Sequence, residues 1–175
     1  LMHREEMEYD VVIVGGGPSG LATAIQFAQL NKKNNTNLSI CLLEKGSEIG
    51  AHILSGNVFQ PNALDELIPN WKELNAPLNV PVKKDKIFYF LKNMGIPVPP
   101  FVMPAMNNHG NYIISLGNLC RWLGEQAEQL GVEIFPGFPA SKLLYENDKV
   151  IGVQTGDMGL SENGELKPAN EPGIN

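Results

Sequence analysis

The chain has 175 residues, 43% hydrophobic and 18% charged, with a net charge of −6 and two cysteines. That length bounds one domain, or one and a piece, and the balance of apolar and charged residues describes a folded core rather than a disordered segment. An acidic chain excludes a nucleic-acid binder as the leading class, no run of about 18 apolar residues is present, and the polar opening LMHREEMEYD lacks the apolar core of a signal peptide.

Tyr9–Val14 is a short β-branched run and is expected to form a parallel strand covered on both faces. It leads into Gly15, Gly17 and Gly20, spaced G-x-G-x-x-G. Gly15 permits the tight turn out of the strand, Gly17 lets backbone approach a pyrophosphate, and Gly20 lets the next helix lie against the sheet. That helix is expected over Leu21–Leu30, apolar at Leu21, Ala24, Ile25 and Ala28, and its N-terminus offers free N–H groups to phosphate. A solvated loop, Asn31–Asn37, precedes a second strand at Leu38–Leu43. Glu44 ends that strand, where a carboxylate accepts hydrogen bonds from ribose hydroxyls. A bare glycine motif is weak, but strand, helix, second strand and acid together describe a dinucleotide site.

Beyond Glu44 the sequence predicts a turn over Lys45–Gly50, a small-residue pair at Ser55–Gly56, a short helix over Pro61–Ile68 and an irregular stretch from Trp71 to Val82. Between Lys83 and Met106, Pro97, Pro99, Pro100 and Pro104 forbid a helix and confine any strand to an edge. An amphipathic helix is expected over Leu119–Leu130, capped by Gly131, followed by strands at Val132–Phe135, Ala140–Tyr145 and Val150–Thr155 and a polar, turn-rich tail. Cys41 and Cys120 read as reduced core thiols, and with no C-x-x-C the sequence signals no metal site. The start at Leu1 and the few strands lead us to expect the N-terminal part of a longer enzyme. The organisation expected is 1–82, the first part of a dinucleotide domain; 83–112, an inserted apolar, proline-rich hairpin; and 113–175, the continuation of the domain.

The N-terminal position of the motif, the glutamate acceptor and the sequel EKGSEIGAH favour FAD over NAD. A long cofactor needs small residues beside its ribityl chain, and Gly50, Ala51, Ser55 and Gly56 supply them; ordinary turn chemistry explains the same four residues equally well.

The runs GGGPSGLATAI, EKGSEIGAHILSGNVFQPNAL, GIPVPPFVMPAMNNHGNYIISLGNLCRWLGEQAEQLGVEIFPGF and VIGVQTGDMG resemble the electron transfer flavoprotein–ubiquinone oxidoreductase family, and the likeness runs from about Tyr9 to Gly173. The first run is shared by many flavoproteins; IPVPP…MNNHGNYI is far more particular. The resemblance implies an α/β, Rossmann-like FAD-binding fold of the glutathione-reductase type with an inserted β-rich apolar hairpin. It implies electron transfer from reduced electron transfer flavoprotein to ubiquinone in the full-length enzyme, with FAD as cofactor and one [4Fe–4S] cluster and ubiquinone expected only there, on the inner face of an energy-transducing membrane, bacterial cytoplasmic or mitochondrial inner; this portion alone is expected to be inactive. It puts the family's FAD glycines on Gly15, Gly17 and Gly20, its ribose acid on Glu44, and its flavin-side segment on Gly50, Ala51, His52, Ser55 and Gly56. Pro18, Ser19 and Lys45 adjoin these positions and complete the expected set. The four cluster cysteines have no counterpart here. Where many relatives carry a basic residue, this chain has Ser115, to which we assign no cofactor role. His52 and His109 receive no catalytic role, because a flavin carries its own redox chemistry.

Ile87–Met106 is rich in aromatic and aliphatic residues and is flanked by Lys83, Lys84, Lys86 and Lys92. Residues alone favour a lid over the cofactor; the resemblance favours a membrane-contacting surface that admits quinone, with the lysines meeting anionic headgroups. Two further readings stay open: a related FAD-dependent monooxygenase or reductase acting on a small molecule, and an FAD-binding fragment inert by itself.

Overall fold

The computed structural model describes residues 4–160 and 166–175. In chain order the elements are β1 (Val11–Val14), α1 (Pro18–Asn34), β2 (Ile40–Glu44), β3 (Asn57–Phe59), α2 (Asn62–Leu67), β4 (Val80–Pro81), β5 (Ile87–Leu91), β6 (Met94–Val98), β7 (Tyr112–Ile114), α3 (Leu116–Gln129), β8 (Glu133–Pro136), β9 (Ala140–Glu146), β10 (Lys149–Thr155), β11 (Met158–Leu160) and β12 (Leu166–Glu171). Single 3₁₀ turns lie at Pro100–Val102 and Pro104–Met106. The chain divides into two compact units, 1–53 with 120–175, and 54–119.

The first unit is built on a parallel sheet in the order β1-β2-β8. Val11 lies opposite Ile40 and Val14 opposite Leu43; on the other side of β2, Cys41 lies opposite Glu133 and Glu44 opposite Pro136. Parallel neighbours need a crossover, and α1 provides it between β1 and β2. Its buried stripe, Leu21, Ala24, Ile25 and Ala28, is the one its spacing predicts. β2, central in the sheet, is buried from Ile40 to Leu43.

β1 departs from expectation. It alternates instead of being covered on both faces, and Val14 keeps 57% of its surface exposed. The cause is position: β1 is an edge of the sheet, and only the face carrying Ile13 meets the helix, at Gly20. The three later strands form within one residue of their predicted limits. β9 and β10 join through Asn147 and Asp148, with φ of 48° and 63°, the pair of left-handed residues that a tight hairpin turn takes. The tail also departs from expectation. Leu166–Glu171 forms a strand antiparallel to β11, because main-chain pairing does not require apolar side chains. After it, Ile174 accepts from Thr155 N–H at 2.8 Å, and Asn175 accepts from Met7 N–H at 3.1 Å.

In the second unit β7 is the middle strand of an antiparallel sheet, β3-β7-β4. Trp71 is buried, its indole N–H donating to Asp65 Oδ1 at 2.7 Å and its ring meeting Tyr112 edge-on at 5.9 Å. The prolines act as the sequence requires. β5 and β6 form a separate two-stranded ribbon in which Pro97 stands opposite Phe88. Both strands of a ribbon have an outer edge, so a missing N–H breaks no further ladder. Ser115 starts α3: its hydroxyl accepts from Asn118 N–H at 3.4 Å, as a helix cap does. At the far end Gly131, at φ 93°, lets Val132 N–H reach back to the Ala127 carbonyl at 3.1 Å.

Candidate dinucleotide site

The site lies at the C-terminal ends of β1 and β2. The β1–β2 ladder continues one step past Val14, as Gly15 N–H donates to Leu43 O at 2.8 Å. Gly15 then turns at φ 102°, a conformation side chains rarely adopt. The next residue, Gly16, is buried, and its N–H donates to Glu44 Oε2 at 2.7 Å. The other oxygen of that carboxylate, Oε1, accepts from Gly46 N–H at 2.7 Å. Glu44 therefore ties the glycine turn to the loop after β2. A carboxylate has about four lone-pair positions, so two remain for the vicinal hydroxyls of a ribose.

The glycines differ sharply in what a side chain would meet. A Cβ on Gly20 would lie 2.0 Å from the Gly15 carbonyl oxygen, and one on Gly16 would lie 2.4 Å from Ile49 Cδ1. Gly20 is demanded by the fold, because the atom it would strike is backbone; at Gly16 the nearest atom is the free end of a side chain, which can turn aside. A Cβ on Gly17 meets no protein atom within 4 Å, and Gly17 sits at φ −80°, which any residue adopts. Nothing in the chain requires glycine there, whereas a ligand backbone pressed against the turn would. The same residue is the N-cap of α1 and makes no side-chain cap. Pro18 has no N–H to offer, and Leu21 N–H is the first to donate within the helix, to Gly17 O at 3.0 Å. The N–H groups of Ser19 and Gly20 are thus the free donors of the first turn, and with no acidic side chain in that turn they face an anion unopposed.

The expected flavin-side residues are split. Lys45 is exposed, and the loop after it is shaped by two turns, with Ala51 N–H donating to Glu48 O and Ile53 N–H to Gly50 O, each at 3.3 Å, and Gly50 at φ 85°. Ala51 and His52 are exposed there; His52 Nδ1 lies 3.4 Å from where a Gly46 Cβ would stand. Ser55 and Gly56 belong to the second unit, where Gly56 N–H donates to Ile114 O at 3.3 Å and holds the β3–β7 edge.

Sequence reasoning passed over Gly16, Gly46 and Ile49, the residues that pack and fasten the turn. The middle glycine of GGG and the glycine two places after the acid were the available signals. Two further main-chain bonds fix the acid's backbone and the loop after it: Phe138 N–H donates to Glu44 O at 3.0 Å and Gly137 N–H to Gly46 O at 2.7 Å.

Cys41 and Cys120 are buried and free. Burial, reinforced by Glu133 for Cys41 and by Glu44 for Cys120, pushes each thiol up to about 11. Two neutral thiols do not fit a [4Fe–4S] cluster, which takes four thiolates, and among the described residues no group of three His, Cys, Asp or Glu could hold a metal ion. Among the same residues no helix is long and apolar enough to cross a membrane.

Residues 13–73 match the family described as an NAD(P)-binding Rossmann-like domain. Among solved structures the fold is similar to a geranylgeranyl bacteriochlorophyll reductase-like protein from Thermoplasma acidophilum, with a TM-score of 0.63 and 24% identity, covering 85% of this chain and 34% of that one. It is also similar to a myxobacterial FAD-dependent chondrochloren halogenase, with a TM-score of 0.60 and 17% identity, covering 90% and 34%. The fold is therefore Rossmann-like α/β, as the sequence led us to expect. Sequence relatives are much nearer. The electron transfer flavoprotein-ubiquinone oxidoreductase of Pseudomonas aeruginosa is 57% identical over 170 residues, 95% of this chain and 31% of that protein. The mitochondrial protein of the same name from Arabidopsis thaliana is 50% identical over 173 residues, 98% of this chain and 26% of that protein. The chain thus spans less than a third of these relatives, and over nearly its whole length it matches the N-terminal part of electron transfer flavoprotein-ubiquinone oxidoreductases.

Proposed function

We propose that this chain is the FAD-gripping portion of an oxidoreductase that passes electrons from reduced electron transfer flavoprotein to ubiquinone at a membrane surface. The observation that carries the reading is Gly17, a glycine the fold itself does not require, set between the free N–H groups of α1 and the anchored Glu44 carboxylate. Pyrophosphate fits against Gly15, Gly17 and the Ser19 and Gly20 amides, with Pro18 fixing the helix start. Glu44 takes the ribose, and Lys45, Gly50, Ala51 and His52 line the way onward. The bound flavin supplies reversible one- and two-electron transfer; the protein's residues bind and orient it. The names of the relatives support electron transfer flavoprotein and ubiquinone as partners.

The β5–β6 ribbon and the turns after it support the membrane contact. Phe90 is 78% exposed and Phe101 83%, with Tyr89, Leu91, Met94 and Val102 also exposed. Contiguous apolar surface of this kind marks an interface.

The purified chain, incubated with FAD and desalted, should keep a flavin absorbance band; the electron-transfer steps are expected of the full-length enzyme only, in which reduced electron transfer flavoprotein should bleach the flavin and a short-chain ubiquinone should restore it. A colourless protein that takes up no FAD would overturn the reading. A full-length enzyme that holds FAD but does not bleach would leave a flavin module and remove the proposed electron donor.

A further inference from the structure

A cavity of about 250 Å³ lies in the second unit beside the exposed ribbon. It is smaller than the roughly 300–1,000 Å³ typical of pockets that take whole cofactors or drug-sized ligands. Its floor is apolar, from Ile87, Met103 and Met106, and Lys83, Lys84 and His109 stand around it. Asp85 also lines it, but its carboxylate is engaged with the opposite loop, accepting from Asn108 N–H at 2.6 Å and Asn108 Nδ2 at 3.4 Å. That clamp builds the cavity. Asn108 Oδ1 in turn accepts from Asn111 Nδ2 at 3.1 Å, Asn107 Oδ1 accepts from His109 N–H at 3.0 Å, and Val82 N–H donates to Asn111 O at 2.8 Å. The loop that carries His109 is thus held closed onto the segment between β4 and β5 that carries Lys83 and Lys84.

Charge sets this region apart. The whole chain is net −6, yet 83–112 holds four lysines against one aspartate, net +3. A basic rim over an apolar floor, next to exposed Phe90 and Phe101, has the chemistry of a phosphodiester with acyl chains attached: the anion meets the lysines and the chains continue onto the ribbon. We propose that this cavity seats the headgroup of an anionic phospholipid, so that the chain selects acidic membranes through a defined site and not through diffuse attraction alone. The proposal rests on the membrane-surface reading above.

Flotation of the whole 175-residue chain with vesicles tests both. The probes are phosphatidylcholine alone and an equimolar mixture of phosphatidylcholine and phosphatidylglycerol. The chain should partition at least fivefold more strongly onto the mixed vesicles. Lys83→Gln with Lys84→Gln should remove most of that preference, at about fivefold for each lysine. Lys86→Gln with Lys92→Gln, equal in charge but outside the cavity lining, should remove much less. All four lysines are exposed, so the fold should survive, and circular dichroism verifies it. Equal binding to both vesicle types would overturn the lipid selectivity and leave the membrane reading standing. Equal losses for the two lysine pairs would overturn the defined site. Inorganic phosphate, added at the concentration of the lipid phosphodiester and at constant ionic strength, should not displace the chain; displacement would overturn the lipid as occupant. Failure to float with either vesicle would overturn the membrane reading, and this proposal with it.

Discussion

Glu44 Oε2 accepts the main-chain N–H of Gly16 at 2.7 Å, so the acid proposed to grip a ribose also fastens the turn proposed to receive the pyrophosphate. Its second oxygen does the same for Gly46. One side chain therefore joins the glycine turn to the loop after β2, and under the proposed function it serves the ligand as well. Glu44→Ala should lose two charge-assisted hydrogen bonds and leave two partly buried amides unpaired. Stability in urea should fall by about 1–3 kcal/mol, and FAD affinity by a similar amount, read by flavin fluorescence titration. Glu44→Gln keeps one acceptor oxygen and should fall between.

The glycines of the same turn separate folding from binding. Gly20→Ala puts a methyl group 2.0 Å from the Gly15 carbonyl oxygen, and α1 must lift away from β1. Overpacking of this kind costs about 1–3 kcal/mol, visible as a lowered Tm with or without FAD. Gly17→Val meets open space and an ordinary φ. Its unliganded Tm should stay within the range of a surface change, about 0.5 kcal/mol, while FAD retention is lost. Flavin kept at wild-type affinity would remove Gly17 from the phosphate site.

How much of this was legible beforehand follows from what each signal encodes. Spacing gave the parallel strands, α1 and its buried stripe, because periodicity reports which face is covered. It did not give the exposure of Val14, because coverage of the second face depends on neighbours outside the local pattern. The motif named Gly15, Gly17 and Gly20 alike, yet only the built structure divides glycines needed for packing from one open to a ligand. Gly16 and Ile49 meet across 33 positions of sequence, a contact no local motif contains. Ser115 became intelligible only once it stood at the start of a helix.

The buried thiols give a chemical test. With Cys41 and Cys120 both raised to about 11 by burial, almost no thiolate is present at pH 8. The folded chain should resist a thiol-specific alkylating reagent at that pH and react at two positions once unfolded in urea, counted by mass spectrometry. Rapid labelling of the native chain would contradict the packing around β2 and α3.

Acid should act where β1 and β2 begin and where the chain ends meet. Ser39 N–H and Oγ–H donate to Asp10 Oδ2 at 2.7 and 2.8 Å, and Asp10 N–H returns a bond to Ser39 Oγ at 2.9 Å. The Ser39 main-chain bond, followed by its hydroxyl bond, holds the Asp10 carboxyl below its usual 3.8. Asp157 is held low in the same direction, first by Gly173 N–H and then by Arg4. A depressed carboxyl contributes stability that is present above its unfolded value and is lost as pH falls through the folded one. Urea midpoints should therefore hold steady from neutral pH down to about 4 as far as these two groups are concerned, and decline below it. Asp10→Asn should flatten the part of that decline that belongs to the β1–β2 junction, and Asp157→Asn the part that belongs to the chain ends. A double variant with the full wild-type decline would assign acid sensitivity to other carboxylates.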